Sequence, residues 1–332
     1  MDPLIKVENL RVYFPVRKGI FGKRYFVKAV DGVDLDIYQG QILTLVGESG
    51  CGKTTLGKTI AGLIKPTGGK ILYKGKDISK LDKRTFLEYR RSVQLVHQDP
   101  YSSLNPTKTV FQTLSTPLKR WGIARSRVEL VKRVSELLSL VGLKPPEDFL
   151  FKYPHQLSGG QRQRVVIARA ISVHPELIIA DEPITMIDVS LRIGILDLML
   201  DLQKKLKTTY LFITHDFGAA RYFAAKGGGL IAVMYLGKIV EIGPAEGVIQ
   251  DPLHPYTRVL LSAVPVPDPE LSRKKKPIKL KSLDIPSPLN PPPGCKFHTR
   301  CPFAIKRCET DEPPLIGVKK DHQVACWLYV KR

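Results

Sequence analysis

Eight residues constrain this chain more than any others. Gly47-Glu48-Ser49-Gly50-Cys51-Gly52-Lys53-Thr54 fits G-x-x-x-x-G-K-[ST] at every fixed position. The run Gln41-Ile42-Leu43-Thr44-Leu45-Val46 before it reads as a strand, and Thr54 to Ile64 reads as a helix ending ahead of Pro66. Strand, glycine loop and helix, in that order, are the context the pattern requires. Glycines let the backbone turn so that several N–H groups aim inward and form an anion cradle. The helix N-terminus adds positive potential. Lys53 is placed to reach the β- and γ-phosphates of a nucleotide, the Thr54 hydroxyl to hold Mg²⁺, and Thr55 shares the same helix start. Cys51 fills a free position of the pattern and reads as filler, not as a ligand.

The rest of the composition narrows the field. The chain has 332 residues, 43% hydrophobic and 25% charged. That suits one large packed domain with at most a small appendage. A formal net charge of +21 points to anionic company: nucleotide, nucleic acid or an anionic membrane face. No apolar run reaches transmembrane length, and Met1-Asp2-Pro3-Leu4 carries no basic-then-apolar leader. An integral channel, a secreted disulfide protein and a disordered tail are therefore not expected.

Up to about residue 262 strand-like and helix-like segments alternate. Leu177-Ile178-Ile179-Ala180 and Tyr210-Leu211-Phe212-Ile213 are short continuous apolar runs. Such runs suit buried parallel strands, with function at their carboxyl ends. The first delivers Asp181 and Glu182 at its tip. Successive side chains on a strand point to opposite faces, so the two acids split their roles: Asp181 to hold the metal, Glu182 to polarise an attacking water. Leu157-Ser158-Gly159-Gly160-Gln161 is a second anion-binding loop. Its glycines let backbone N–H groups approach a phosphate, Ser158 can donate its hydroxyl, and a helix follows in which Val166/Ala170 and Ile167/Ile171 pair at i, i+4. One nucleotide cannot obviously use both loops within one chain. The economical solution is a head-to-tail dimer, each nucleotide lying between the Lys53 loop of one chain and the Ser158 loop of the other. This reading places Lys53 and Asp181 on a shared cleft for Mg-nucleotide.

Beyond residue 262 the composition changes. The run Arg273-Lys274-Lys275-Lys276-Pro277 precedes Pro286-Ser287-Pro288 and Pro291-Pro292-Pro293. This reads as an extended linker before a small module bearing Cys295, Cys301, Cys308 and Cys326, whose gaps are 5, 6 and 17 residues. Four thiols in a chain with no leader favour a metal or cluster over disulfides. There is no C-x-x-C pair, so the spacing does not suit a typical zinc knuckle, and spacing alone does not separate a cluster from zinc.

With these residues in view, the chain resembles the ATP-binding subunits of ABC transporters. Gln98 is like the Q-loop glutamine, Asp188 like the D-loop aspartate and Thr214-His215-Asp216 like the switch-histidine motif. Gln98-Asp99-Pro100-Tyr101-Ser102-Ser103-Leu104-Asn105-Pro106, Tyr153-Pro154-His155, Val233-Met234-Tyr235-Leu236-Gly237 and His254-Pro255-Tyr256-Thr257-Arg258 look like the oligopeptide/dipeptide importer subfamily, and Gly294 to Pro302 looks like its C-terminal extension. The resemblance implies an α/β P-loop NTPase of ABC type, with a RecA-like core sheet, an antiparallel β subdomain and a helical subdomain at about 100–170. That domain spans 1–262, and the linker and four-Cys extension span 263–332. It implies an ATPase that couples ATP binding and hydrolysis to peptide uptake. Glu182, His215 and Gln98 are the implied catalytic residues, with Thr54, Gln98 and Asp181 around Mg²⁺. Ser158 to Gln161 would contact the partner's ATP, and Phe14, or Tyr13 beside it, would stack on adenine. A [4Fe-4S] cluster on the four cysteines is implied, with zinc as the alternative. The implied partners are a second ATPase subunit, favouring a heterodimer, two membrane permease subunits and, through them, an extracytoplasmic binding protein, at the cytoplasmic face of the membrane. Nucleic acid is not expected as a partner, although a soluble ATPase acting on it is the rival reading, and oligosaccharide or nickel is the alternative cargo. The chain departs from the family at Ile184-Thr185-Met186-Ile187, at His97, and at Lys226-Gly227-Gly228-Gly229. None of these departures removes a catalytic group.

Overall fold

Five buried residues in a row, Ile42 to Val46, form a strand with no exposed face, as expected of a strand covered on both sides. The computed structural model describes residues 2–17, 24–264 and 278–330. The Arg273–Pro277 run lies outside the described residues. Two compact units emerge, one of residues 1–38, 42–80 and 214–332, the other of 39–41 and 81–213.

The first unit opens with β1 (Ile5–Arg17) and β2 (Arg24–Ile37), long antiparallel partners. The buried strand β3 (Ile42–Val46) runs into the glycine loop and helix α1 (Lys53–Ile60). Strands β4 (Gly68–Tyr73) and β5 (Lys76–Asp77) complete a four-stranded sheet in the order β2-β1-β4-β5. The helix expected to run to Ile64 stops at Ile60. Gly62 adopts φ 68°, its N–H bonds to the Thr59 carbonyl, and the Leu63 N–H reaches back to Lys58. This is a Schellman stop, which a glycine makes at no steric cost.

The second unit begins with α2 (Lys83–Ser92), capped by Asp82, and β6 (Val93–Val96). A helical segment follows: α3 (Pro100–Ser103), α4 (Val110–Arg120), α5 (Arg127–Leu140), α6 (Glu147–Leu150) and α7 (Gly159–Ile171). Helices α4, α5 and α7 each start with a reciprocal capping box, Thr109/Gln112, Ser126/Glu129 and Ser158/Gln161. Strand β7 (Leu177–Asp181), helix α8 (Val189–Leu206) and strand β8 (Thr209–Thr214) complete it. Both apolar runs read as parallel strands are such strands, since β7 pairs in parallel with β6 and with β8.

The chain then returns to the first unit with α9 (Phe217–Lys226), β9 (Leu230–Tyr235), β10 (Lys238–Pro244), α10 (Ala245–Gln250) and α11 (Pro255–Ala263). Its last strands are β11 (Ile316–Lys319) and β12 (His322–Val324). β9 lies parallel to β3, β10 antiparallel to β9, and β12 pairs with β10 through Glu241 and Val324. Residues 278–330 thus extend a sheet of the first unit, and Phe297 and Cys301 join its core beside Val46, Tyr235 and Tyr256.

A buried polar knot holds the His254-Pro255-Tyr256 corner. The Glu241 carboxylate, fully buried, accepts from the N–H groups of Leu253 (2.8 Å) and His254 (2.9 Å) and lies 2.8 Å from His322 Nε2. His254 Nδ1 accepts from the Tyr256 N–H at 3.0 Å, so it must be unprotonated there. Burial pushes the His254 imidazole down to about 4, against the opposing pull of Glu241. Its folded value lies below its unfolded value of about 6.5. The contribution is therefore complete above about pH 6.5 and is lost as pH falls from there toward 4. Stability should drop by up to roughly 3 kcal/mol across that window. Denaturant melts of His254→Asn, which keeps an acceptor but does not titrate, should show a flatter acid limb than the parent; an unchanged limb would refute the assignment.

Candidate functional site

In the first unit neighbouring backbone leaves no room for a side chain at Gly47 or Gly52 of the glycine loop. A Cβ on Gly47 would sit 2.2 Å from the Met234 carbonyl oxygen, and one on Gly52, at φ 107°, would sit 2.0 Å from the Ala29 carbonyl oxygen. The pattern's glycines are thus needed as much for close packing as for turning. Helix α1 starts at Gly52 with no side-chain cap, in contrast to α4, α5 and α7. A helix start of this kind carries positive potential that favours an anion. Lys53 is buried and folded back on its own loop, its ammonium donating to the carbonyls of Gly47 (2.8 Å) and Glu48 (3.0 Å). Cys51 is buried beside it, and burial raises its thiol pKa above the ordinary value, which suits the filler role. The loop is anchored outward by Glu48, whose N–H donates to the Tyr256 hydroxyl at 2.9 Å.

Elsewhere in this unit His215 and Asp216 are exposed past the end of β8, where the Asp216 carboxylate caps α9 by accepting from Gly218 and Ala219. Phe14 on β1 is 39% exposed. Its neighbour Tyr13 is engaged: its hydroxyl donates to Asp31, and burial together with Asp31 pushes the phenol up to about 12.

In the second unit β7 ends in the two expected carboxylates, both buried. Asp181 is the last strand residue, and Glu182 follows at φ 48°, a left-handed conformation. Holding a non-glycine residue there costs about 1–2 kcal/mol and needs a surround that enforces it. The enforcing contacts are present. The Glu182 N–H donates to the Ile213 carbonyl, and its Oε2 accepts from Gln98 Nε2 (3.1 Å) and from Thr185 Oγ1 (3.1 Å). Gln98 and Glu182, 84 residues apart, are thus brought together. Thr185 is a residue that sequence reasoning missed; within the Ile184–Ile187 stretch it steadies the carboxylate, and a hydroxyl three residues after an acid in a turn is the available signal.

Ser158 and Gln161 form the capping box that starts α7. That bond occupies a lone pair of the Ser158 oxygen, not its proton, which can still be donated to a phosphate. Asp188 is exposed at the start of α8 and makes no side-chain cap. The segment after Gln98 is gripped by α7: the Arg162 guanidinium lies 4.1 Å from the Tyr101 ring centroid, and Arg169 donates to the Ser103 carbonyl at 2.6 Å.

The four C-terminal cysteines belong to the first unit, where the segment that carries them packs as part of that unit and not as a separate module. Burial, chiefly, pushes Cys295 up to about 12 and Cys326 up to about 11 and raises Cys301, and each also feels the charge of other thiols in the set. All five cysteines of the chain are unpaired. Among the described residues no three His, Cys, Asp or Glu side chains surround a point that a metal ion would occupy. A single zinc draws its sulfurs to about 2.3 Å from one centre, whereas a four-iron cluster spreads its thiolates over separate irons.

Comparison with known proteins identifies the family. The ABC transporter family matches residues 30–185, and the oligopeptide/dipeptide transporter C-terminal region matches residues 240–308. The oligopeptide transport ATP-binding protein AppF of Bacillus subtilis is 45% identical over 99% of this chain and 98% of its own length. OppF of Salmonella typhimurium is 42% identical over 97% and 95%, and the dipeptide transport protein DppF of Haemophilus influenzae 41% over 98% and 96%. Among solved structures, the dimeric ATP-binding cassette MJ0796, in a post-hydrolysis state with ADP and Pi, superposes with a TM-score of 0.62 at 30% identity, covering 73% of this chain and 98% of that one. CbiO1 of Clostridium perfringens gives 0.62 at 28%, covering 76% and 92%. The chain belongs to the ATP-binding subunits of ABC transporters, in their oligopeptide/dipeptide branch.

Proposed function

We propose that this chain is the ATPase subunit of a peptide importer, hydrolysing ATP to drive uptake of oligopeptides or dipeptides. The observation that carries the reading is the near full-length identity to peptide-transport ATPases, which includes the C-terminal region particular to that branch. In this reading the Gly47–Thr55 loop receives the phosphates, with Lys53 turning from its own carbonyls to the β- and γ-oxygens. Thr54, Gln98 and Asp181 would hold Mg²⁺, which neutralises phosphate charge when bound. Glu182, steadied by Gln98 and Thr185, accepts hydrogen-bonding from the attacking water and orients it; His215 donates to the γ-phosphate. Phosphoryl transfer asks for positioning and charge stabilisation more than covalent chemistry, and these groups supply both. Phe14 is the aromatic for adenine, since Tyr13 is spent on Asp31.

The Ser158–Gln161 loop would serve the nucleotide of a partner ATPase, a different but related subunit, with Asp188 in the same interface. A groove of about 540 Å³ within the second unit, lined by Phe86, Arg90, Asn105, Lys108, Arg120 and Trp121, is where a permease subunit would press. Arg162 and Arg169 would pass movement from there to the Ser158 helix. Among the described residues no helix is long and apolar enough to cross a membrane, and a peripheral place on the cytoplasmic face follows from permease partners. A binding protein would deliver peptide to those permeases from the other side. The four cysteines would hold a [4Fe-4S] cluster rather than zinc, which iron, sulfide and zinc analysis of the anaerobically purified chain would decide.

The test is uptake. Proteoliposomes carrying this chain with its co-purifying membrane subunits and the binding protein should accumulate labelled tripeptide only with enclosed ATP. Absence of peptide transport, together with ATPase activity that rises with DNA or RNA in a salt-sensitive way, would favour the nucleic-acid reading instead.

A further inference from the structure

One contact of the phosphate loop is not accounted for by nucleotide chemistry. Arg300, from the C-terminal segment, grips Glu48 with both guanidinium nitrogens: Nη1 to Oε2 at 2.8 Å and Nη2 to Oε1 at 3.0 Å. The partners are 252 residues apart in sequence and belong to one compact unit. The arginine side chain is 6% exposed and that of Glu48 22%. A fork-to-fork pair of this kind fixes direction as well as charge.

Around the pair the geometry is built rather than incidental. Arg300 lies 5.8 Å from the Tyr235 ring centroid and 5.7 Å from that of Phe297. Nη1 also reaches the Tyr235 hydroxyl at 3.4 Å. Tyr235, Tyr256 and Phe297 pack on one another with centroids 4.6 to 5.3 Å apart. The backbone of Arg300 is tied at both ends, its N–H to the Phe297 carbonyl and its carbonyl to the Lys281 N–H. Tyr256 meanwhile accepts from the Glu48 N–H. Glu48 is therefore clamped by side chain and backbone at once, while its own carbonyl is one of the two that Lys53 holds.

We propose that Arg300 is a positioning residue of the phosphate loop, acting through Glu48 to set loop geometry and to cancel a negative charge that would otherwise face the incoming triphosphate. The proposal rests on reading the loop as the ATP site. Two effects follow from removing the guanidinium. The Glu48 carboxylate stays behind, partly buried and unpaired, near a highly anionic ligand. The loop also loses one of its outward anchors. Both weaken ground-state binding of Mg-ATP, and neither touches the water or the carboxylate that orients it.

The experiment is Mg-ATP titration calorimetry on the full chain and its variants, with steady-state ATPase measured on each of them assembled with the partner ATPase subunit. Arg300→Ala should raise Kd and KM on the order of tenfold, the scale of one uncompensated charge beside a charged ligand, with kcat within about twofold. Glu48→Gln placed on top of Arg300→Ala should recover most of that loss, because the offending charge is gone. Arg300→Lys, which keeps charge but not the fork, should fall between. If Arg300→Ala binds like the parent while Lys53→Ala loses binding, the inference fails and the loop reading stands. If Arg300→Ala loses affinity that Glu48→Gln does not restore, the arginine merely holds the C-terminal segment folded and the inference again fails. If Lys53→Ala binds like the parent, the loop reading itself is overturned, and the inference with it.

Discussion

Glu182→Gln should bind Mg-ATP with near-parental affinity yet turn over slower by a factor on the order of 10² to 10⁴, the range that a positioned acid–base group contributes. The substitution keeps the shape and leaves an amide oxygen to accept from Gln98 and Thr185, which hold Oε2 at 3.1 Å each. The left-handed backbone at φ 48° is also kept, since glutamine is no more strained there than glutamate. What disappears is the full negative charge that attracts and orients the water's proton. Binding and hydrolysis should therefore separate cleanly, with ATP retained and product absent when bound nucleotide is analysed by chromatography. Thr185→Val supplies a graded companion: the carboxylate stays and loses one of its two donors, so turnover should fall several-fold while binding holds. Full activity in Glu182→Gln would remove the role assigned to the carboxylate.

The contrast between Glu182 and Arg300 shows what a sequence discloses. The glycine loop, the two apolar strands and the Ser158 helix start are local: their chemistry lies within a dozen consecutive residues, and periodicity or a motif exposes them. The Gln98–Glu182 contact spans 84 residues, and it is approachable from sequence only because the strand tip gives Glu182 a role and the family resemblance gives Gln98 one. Arg300–Glu48 and Tyr256–Glu48 span 252 and 208 residues, and nothing in the local run around Arg300 announces a partner in a loop near the N-terminus. The last strands were hidden for a related reason. β12 has three residues, too few for alternation to register, and its place is set by pairing with β10 rather than by its own pattern. Packing reasons for Gly47 and Gly52 were equally invisible, since they depend on the carbonyls of Met234 and Ala29. The end of α1 is hidden in the sequence because apolar residues continue to Ile64 while Gly62 has already turned the chain.

Lys53→Ala should cost on the order of 100-fold in Mg-ATP affinity, the scale of lost hydrogen bonds to a charged ligand. Two consequences add. With ATP present, the β- and γ-phosphates lose their ammonium partner at an otherwise uncapped helix start. Without ATP, the carbonyls of Gly47 and Glu48 lose the donor that now gathers them, so the loop itself is less well ordered before binding. The second effect distinguishes this lysine from a simple phosphate contact. Hydrogen exchange on the nucleotide-free chain should show faster opening at Gly47 to Cys51 in Lys53→Ala, whereas Arg300→Ala should speed the Glu48 amide and leave the start of α1 protected. A Lys53→Arg variant restores charge, but its planar head is too large to fold back between the two carbonyls. Exchange should therefore stay fast even if part of the affinity returns. Parental exchange in Lys53→Ala would mean that the loop holds its shape through Gly47, Gly52 and their backbone contacts alone.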